Sequence, residues 1–375
     1  MVGGFRASRR RVLRLGLGAG AAGLLAACSA APSAVTPTVA PTATPVARGN
    51  GLAGLPSVQA TVKAGSIFGL TDSPMILALE RGYFQQAGIT LDLQQFDTIV
   101  NMIPLLSTGQ LDVAFDGASS AGFFNALARG ITIKMVANQG VADGSHETPY
   151  YGVAVAKSLL DSGQVRRVAD LRGRPVNLLS IGSLAELNVD DALRTDGLTL
   201  ADVQVQQLSF PDSLAALRGG SLAASFLIEP FITLGRQQGV LDVLISSEKV
   251  APGREITEVF YAAGFAQNRD AANNFMAAYL QGVRDYVDTF FRNRGDRSLA
   301  VSQMVQRLAV KDPSLYDRMG MPAVNPDGRI NAADVKAQQD WYVGRGEVQQ
   351  PIDVTQAVDN SFADFALSVL GSYSS

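Results

Sequence analysis

Followed by its alternation of apolar and polar positions, the chain sets out one plan twice, in residues 73–118 and again in residues 182–230. Each copy opens on a helix-like stretch that ends at a glycine, Gly88 or Gly197, the residue suited to a left-handed helix cap. An apolar residue and a threonine follow, then an alternating strand-like run that ends near Phe96 or Phe210. A second short helix comes next, with apolar positions at helical spacing: Ile99, Met102, Ile103 and Leu106 in one copy, Leu214 and Leu217 in the other. "LSTGQLDVAF" then aligns without a gap to "LRGGSLAASF", matching Gly109 to Gly220, Leu111 to Leu222 and Phe115 to Phe226.

Strands that alternate with helices predict a parallel sheet with right-handed crossovers, and a repeat of that unit predicts two α/β lobes of similar construction. Ligands on such sheets bind beyond the carboxyl ends of the strands, where loops lead into helix N-termini. The loops so placed are residues 68–73, 96–101, 116–120, 180–186, 210–213 and 227–231. They supply the candidate ligand-binding residues Phe68, Thr71, Asp72, Asp97, Asn101, Asp116, Gly117, Ser119, Ser183, Glu186, Glu229 and Phe231, to which Tyr261 is added as a stacking face. Gly, Ser and Asp in any one loop are also ordinary turn and cap formers. The last third of the chain reads as helices completing the first lobe, with stripes at Phe275, Tyr279, Val283, Val287 and Phe290 and at Val354, Val358, Phe362 and Phe365. Trp341 falls on a helix with Val335 and is expected to pack in the core or at its rim.

The first 57 residues follow neither pattern. "SRRRVLRLGLGAGAAGLLAACSA" sets arginines, an apolar run and small residues in the order of an export signal. The run covers residues 15–27, short of the roughly 20 residues that span a bilayer. Its start resembles a twin-arginine signal with Arg9 and Arg10 as the pair, and "LAAC" resembles the lipobox of bacterial lipoproteins. Cys28 is the only cysteine in the sequence, so neither a disulfide nor a thiolate metal site explains it. The resemblance implies that Cys28 carries the lipid anchor of an extracytoplasmic protein held to the cell membrane. Residues 28–57, rich in Ala, Pro and Thr, read as an extended, disordered linker.

Composition narrows the function. A net charge of −3 and the lack of an arginine-aromatic block outside the leader argue against nucleic acid as a partner. "AVNPDGRINAAD" has the back-half spacing of a calcium loop, but its first ligand position is Ala323 and Asp334 stands where a bidentate Glu is usual. A turn at Asp327 and Gly328 before a helix capped near Asn331 accounts for the same letters. His146 is the single histidine, which serves zinc poorly and leaves little for a Ser-His or Cys-His device. No Gly-x-Ser-x-Gly elbow is present. The reading is therefore of a binding protein without metal or cofactor, not an enzyme.

"ALERGYFQQAGITLDL", "LLSTGQLDVAF", "DLRGRPVNLLSIGS" and "SLAALRGGSLAASFLIEPF" together resemble the solute-binding proteins of importers for nitrate, sulfonate, taurine and thiamine pyrimidines. The resemblance covers nearly the whole mature chain and is weakest over residues 296–324. It implies an α/β, two-lobed type 2 periplasmic binding protein fold, with lobes joined by two crossing strands that close over a ligand. The crossings are expected in "YYGVAVA" (residues 150–156) and "VFYAAGFA" (residues 259–266), giving a first lobe of residues 58–151 and 262–375 and a second of residues 152–261. It also implies a monomer that delivers a small-molecule solute to an ABC permease and its ATPase. The pyrimidine synthases of similar fold use a cysteine-rich motif that is missing here.

For the solute, the loops offer one clue. Asp72, Asp97, Asp116, Asp212, Glu186 and Glu229 lie in or beside them, and the six spans contain no Lys or Arg. Carboxylates in a low-dielectric cleft repel an anion and accept hydrogen bonds from a nitrogen heterocycle or amine, with Tyr150 and Tyr151 as further stacking faces. The alternative is a sulfonate, taurine or nitrate held by helix N-termini, and half of these carboxylates pointing elsewhere would leave the cleft neutral. The anchor is open to a direct test: Cys28→Ala should move the protein from the membrane pellet to the soluble fraction, and Arg9→Lys with Arg10→Lys should block export. A Cys28→Ala protein still in the pellet refutes lipidation.

Overall fold

Ten strands hold the described part of the chain together. The computed structural model describes residues 51–144 and 147–373; Arg9, Arg10, Cys28 and His146 lie outside them. The strands are β1 (Ala60–Ser66), β2 (Ile89–Gln95), β3 (Val113–Gly117), β4 (Ile133–Val141), β5 (Tyr151–Ala156), β6 (Pro175–Asn177), β7 (Gln204–Gln206), β8 (Ala224–Ile228), β9 (Leu241–Ser246) and β10 (Glu255–Ala262). They form two five-stranded sheets in the orders β2-β1-β3-β10-β4 and β7-β6-β8-β5-β9. The two orders are the same order, with β6, β7, β8, β9 and β5 in the places of β1, β2, β3, β4 and β10. The repeat seen in the sequence is thus a repeat of topology. β3 and β8 occupy equivalent places, and Gly109 and Gly220 both take left-handed backbone just after the preceding helix, at φ 71° and 75°.

In each sheet the first three strands are parallel, and the fourth runs against its neighbours: β10 against β3 and β4, β5 against β8 and β9. The expectation of a purely parallel sheet is corrected in this one strand per sheet. The crossings are corrected with it. β5 belongs wholly to the second sheet and β10 wholly to the first, so the chain changes sheet in residues 142–150 and 247–254. Residues 255–261, expected in the second lobe, are first-sheet strand. The apolar residues 259–262, read as part of a crossing, belong to a strand with neighbours on both sides and buried faces above and below.

Helix Arg269–Phe291 is the largest filler of the first core, and the stripe expected on it is buried from Phe275 to Val287. Phe275 packs on Phe84 and Tyr261, with ring centroids 4.9 and 5.9 Å apart, and Tyr279 on Phe115 at 5.8 Å. The second lobe adds a smaller cluster around Leu217, Leu222, Leu227, Ile232 and Leu241. The helix expected from Val354 onward breaks in two, Val354–Ala357 and Ser361–Leu370, because Val358 bridges to Met135 of β4. The turn at Gly328 and the cap at Asn331, whose side chain accepts from the Asp334 N–H, replace the calcium reading. Among the described residues no helix is long and apolar enough to cross a membrane.

Helix Arg269–Phe291 lies against helix Ser73–Glu80 so closely that a Cβ on Gly282 would fall 2.4 Å from the Pro74 carbonyl oxygen and 2.6 Å from the Ala78 Cβ. The same seam holds Asp285, which accepts from Arg81 and, at 2.5 Å, from the Tyr83 hydroxyl. Gly282→Ala should therefore cost about 1–3 kcal/mol by overpacking, despite alanine's better helix propensity. Urea denaturation checks this, and an unchanged midpoint would show that the seam relaxes freely.

Candidate functional site: a cleft between the two sheets

The two sheets meet along a cleft of about 620 Å³, a volume suited to a small organic solute. Its position follows from strand direction. The parallel strands end at this edge, and the antiparallel β5 and β10 begin there, so strand ends from both sheets and both crossings converge on it.

Three strand ends reach the cleft through backbone that side chains other than glycine rarely adopt: Phe68 at φ 54° after β1, Asp116 at φ 60° in β3 and Leu179 at φ 67° after β6. Left-handed backbone at such residues costs energy and gathers at functional positions, where it re-aims the chain. Asp116 and Leu179 line the cleft, while Phe68 stands between two residues that do, Ile67 and Gly69.

The first-lobe wall is a buried hydrogen-bond network. Thr71 donates its hydroxyl to Asp116 Oδ1 at 2.6 Å, and the Ile67 N–H donates to Asp116 Oδ2 at 3.2 Å. Gln139, on β4, donates to Asp72 Oδ1 at 2.9 Å while its own oxygen accepts the Asp116 N–H at 2.6 Å. Ser66 donates to the other Asp72 oxygen at 2.6 Å. Burial and then the neighbouring Asp116 charge push the Asp72 carboxyl well above the usual aspartate range; burial also raises Asp116, against the hydrogen bonds it accepts. The pair keeps a proton at pH values where an exposed aspartate has none, so this wall carries less negative charge than its two carboxyls suggest.

On the second lobe, Ser183, Leu184, Ala185 and Asn188 bring the start of helix Leu184–Arg194 to the cleft. Glu229 lines it too, but its carboxylate is spent on the protein: Thr233 donates through N–H and hydroxyl, each at 2.9 Å, and Gly320 of the first lobe through N–H at 3.4 Å. Burial raises the Glu229 carboxyl, against these bonds. The rest is apolar and aromatic, including Leu70, Tyr150, Tyr151, Phe226, Phe231 and Ile256. Tyr150, Tyr151 and Phe226 form a chain of rings 6.0 and 5.9 Å apart. Among the described residues lining the cleft the only cation is Lys311, exposed, with its ammonium donating to the Gln306 carbonyl.

Of the candidates read from the sequence, Thr71, Asp116, Ser183, Glu229 and Phe231 line the cleft. Asp72 stands directly behind Thr71. Gly117 is pressed against Phe260, whose ring atoms would lie 2.5 Å from a Cβ, and Ser119 is buried beneath, donating to Glu258 at 3.4 Å. Asp97 and Asn101 are exposed and away from it. They follow β2, an edge strand, whose carboxyl end is far from the centre of the sheet; Asp212 follows β7, the matching edge, and is exposed as well. Glu186 turns away from the cleft to Arg345. Tyr261 is a core residue, packed on Phe265 and Phe362 with its hydroxyl donating to the Ala272 carbonyl. Gln139, Asn188, Thr257 and the segment 309–315 are unforeseen parts of the site. The segment lies where the sequence resemblance is weakest, and no periodicity marks it.

A family model described as NMT1/THI5 like matches residues 71–289, more than half of the sequence. The chain belongs to the NMT1/THI5-like family. The chain is also similar to the riboflavin-binding protein RibY of Chloroflexus aurantiacus, 26% identical over 324 residues that cover 81% of this chain and 86% of the relative. Among solved structures, the periplasmic aliphatic sulphonate binding protein SsuA of Escherichia coli superposes with a TM-score of 0.64 at 18% identity, covering 80% of this chain and 92% of that one. The periplasmic nitrate-binding protein NrtA of Synechocystis PCC 6803 gives 0.64 at 13% identity, covering 84% and 89%. These likenesses place this family member in the two-lobed periplasmic binding protein fold.

The crossings carry a pH signature. Glu248, in the second crossing, accepts the Tyr150 N–H of the first at 3.1 Å, and burial pushes its carboxyl up to about 7. Glu255, at the start of β10, is also raised by burial to about 7. A carboxyl raised on folding adds stability that is complete below its unfolded value of 4.5 and is lost as pH rises to 7. Stability should thus decline from pH 4.5 to 7, each group contributing on the order of 2–3 kcal/mol. Glu248→Gln, which can still accept the Tyr150 N–H, should flatten the slope measured by chemical denaturation across that range; an unaltered slope contradicts the assignment.

Proposed function

We propose that this protein is the extracytoplasmic solute-binding component of an ABC importer, closing two lobes over a nitrogen heterocycle. The observation that carries the reading is the character of the cleft: aromatic and aliphatic walls, a buried carboxyl pair on one side held by Thr71, Ser66 and Gln139, and no guanidinium among its lining residues. An oxyanion buried there would meet little positive charge to offset its lost hydration. A flat heterocycle would stack on the tyrosine and phenylalanine rings. Its N–H donors would find the Thr71 oxygen, whose proton is committed to Asp116 and whose lone pairs are left to the ligand. Similarity to a riboflavin-binding protein supports this class of solute. Similarity to sulfonate-binding and nitrate-binding proteins supports the second reading, an oxyanion held by backbone N–H groups.

The carboxylates play a smaller part than the sequence suggested. Asp116 and Glu229 accept from the protein itself, so they shape the walls and set their charge. Export through Arg9 and Arg10, a lipid anchor on Cys28 and delivery to a permease with its ATPase complete the proposal; these rest on the sequence and its resemblances. No catalytic step is part of it.

Thermal unfolding and calorimetry against riboflavin, aminopyrimidines, taurine, ethanesulfonate and nitrate decide between the solute classes. A hundredfold excess over Kd should stabilise the protein by about 2.7 kcal/mol. Thr71→Val should weaken heterocycle binding about tenfold by removing one acceptor. Micromolar binding of an alkylsulfonate or nitrate, with no response to heterocycles, would overturn the preference.

A further inference from the structure

Away from the cleft, the lobes also meet through two pairs of residues at helical spacing. Glu186 and Asp190 sit one turn apart on helix Leu184–Arg194 of the second lobe, on a face other than the one Ser183, Leu184 and Asn188 show to the cleft. Facing them are Trp341 and Arg345 at the end of helix Ala332–Gly344 of the first lobe, also one turn apart. The Trp341 Nε1–H donates to Asp190 Oδ2 at 3.0 Å, and Arg345 Nη2 to Glu186 Oε1 at 2.6 Å. The Arg345 guanidinium lies 4.9 Å over the Trp341 ring, joining the two contacts into one patch. Beside it, the Ala121 N–H of the first lobe donates to the Gly182 carbonyl at 3.0 Å.

Each charged group in this patch holds a second partner on its own lobe. Asp190 also accepts from Arg194 at 2.7 Å, Glu186 from the Gly182 N–H at 2.7 Å, and Arg345 also pairs with Glu347 at 2.9 Å. Separating the lobes would therefore strand none of them, which removes the heavy cost of breaking a buried ion pair. A permanent core contact has no need of such duplication; a contact that must form and part does.

We propose that Trp341 and Arg345 are positioning residues, a reversible latch that holds the closed lobes together and so sets the place of the cleft wall carried by residues 183–188. The effect on affinity rests on the solute-binding reading; the opening of the lobes does not. Trp341 is the single tryptophan of the sequence, so its emission reports the latch in the whole chain without added ligand. Glu186 bonds to Arg345 and not to Trp341, which makes it the site to alter. Glu186→Ala should move the closed-to-open ratio about tenfold towards open, seen as red-shifted Trp341 emission and easier acrylamide quenching. Glu186→Gln, still able to accept one hydrogen bond, should fall between, and adding Arg345→Gln to Glu186→Ala should open the lobes no further. Riboflavin, as probe, should dissociate faster from Glu186→Ala by a similar factor. Emission and quenching equal to wild type overturn the latch, as does a lower unfolding midpoint with no gain in Trp341 access below it. Increased access in Glu186→Ala with riboflavin binding to neither protein leaves the latch standing and removes the riboflavin reading instead.

Discussion

Each sheet contains one strand that runs against the others, and those two strands, β5 and β10, are the ones on which the chain enters a new sheet. An antiparallel strand begins where its parallel neighbours end. Both crossings are thereby forced to the edge at which loops and strand ends already gather, and the cleft, the hinge and the lobe boundary become one region. Tyr150 and Tyr151 line the cleft because they stand where the first crossing enters β5, and Ile256 and Thr257 because they lie among the first residues of β10. Whatever binds in the cleft touches Tyr150 at the end of the first crossing and Ile256 just after the second.

Burial governs the charge of this region. Asp72, Asp116, Glu229, Glu248, Glu255 and Glu258 all lie where water is scarce, and each is raised by that burial. Hydrogen bonds from Ser66, Thr71, Gln139, Thr233 and Asn138 hold the oxygens of Asp72, Asp116, Glu229 and Glu255 in place. Proton retention and internal donors together make an acidic set of residues into a wall of modest charge. Glu186 of the latch is raised by burial as well, but it and Asp190 face the guanidinium groups of Arg345 and Arg194.

Much was legible in the sequence because it is local. The left-handed caps at Gly88 and Gly197, the helix cap at Asn331, the core stripe of helix Arg269–Phe291 and the gapless match of β3 to β8 are set by residues close in the chain. Helical and strand periodicities state which face of an element is buried, and the doubling of the pattern states that there are two lobes. The same reasoning marked Thr71, Asp116, Ser183, Glu229 and Phe231, since strand ends before helices are where such sheets bind.

The rest belongs to the tertiary structure alone. Periodicity does not state strand order, so Asp97 and Asn101 after edge strand β2 looked equal to Asp116 on central β3. It does not name the partner of a carboxylate, and Glu186 meets Arg345 across 159 positions of sequence. Nor does it mark residues 309–315, a loop running into a short 3-10 helix and brought to the cleft by packing, or separate Tyr261 in the core from Tyr150 on the cleft wall. By itself the sequence determined the elements, their buried faces and their repetition, because these arise from contacts within a few residues. Only the folded chain decided which loops share an edge and which charges meet, because those depend on crossovers that join segments far apart in sequence.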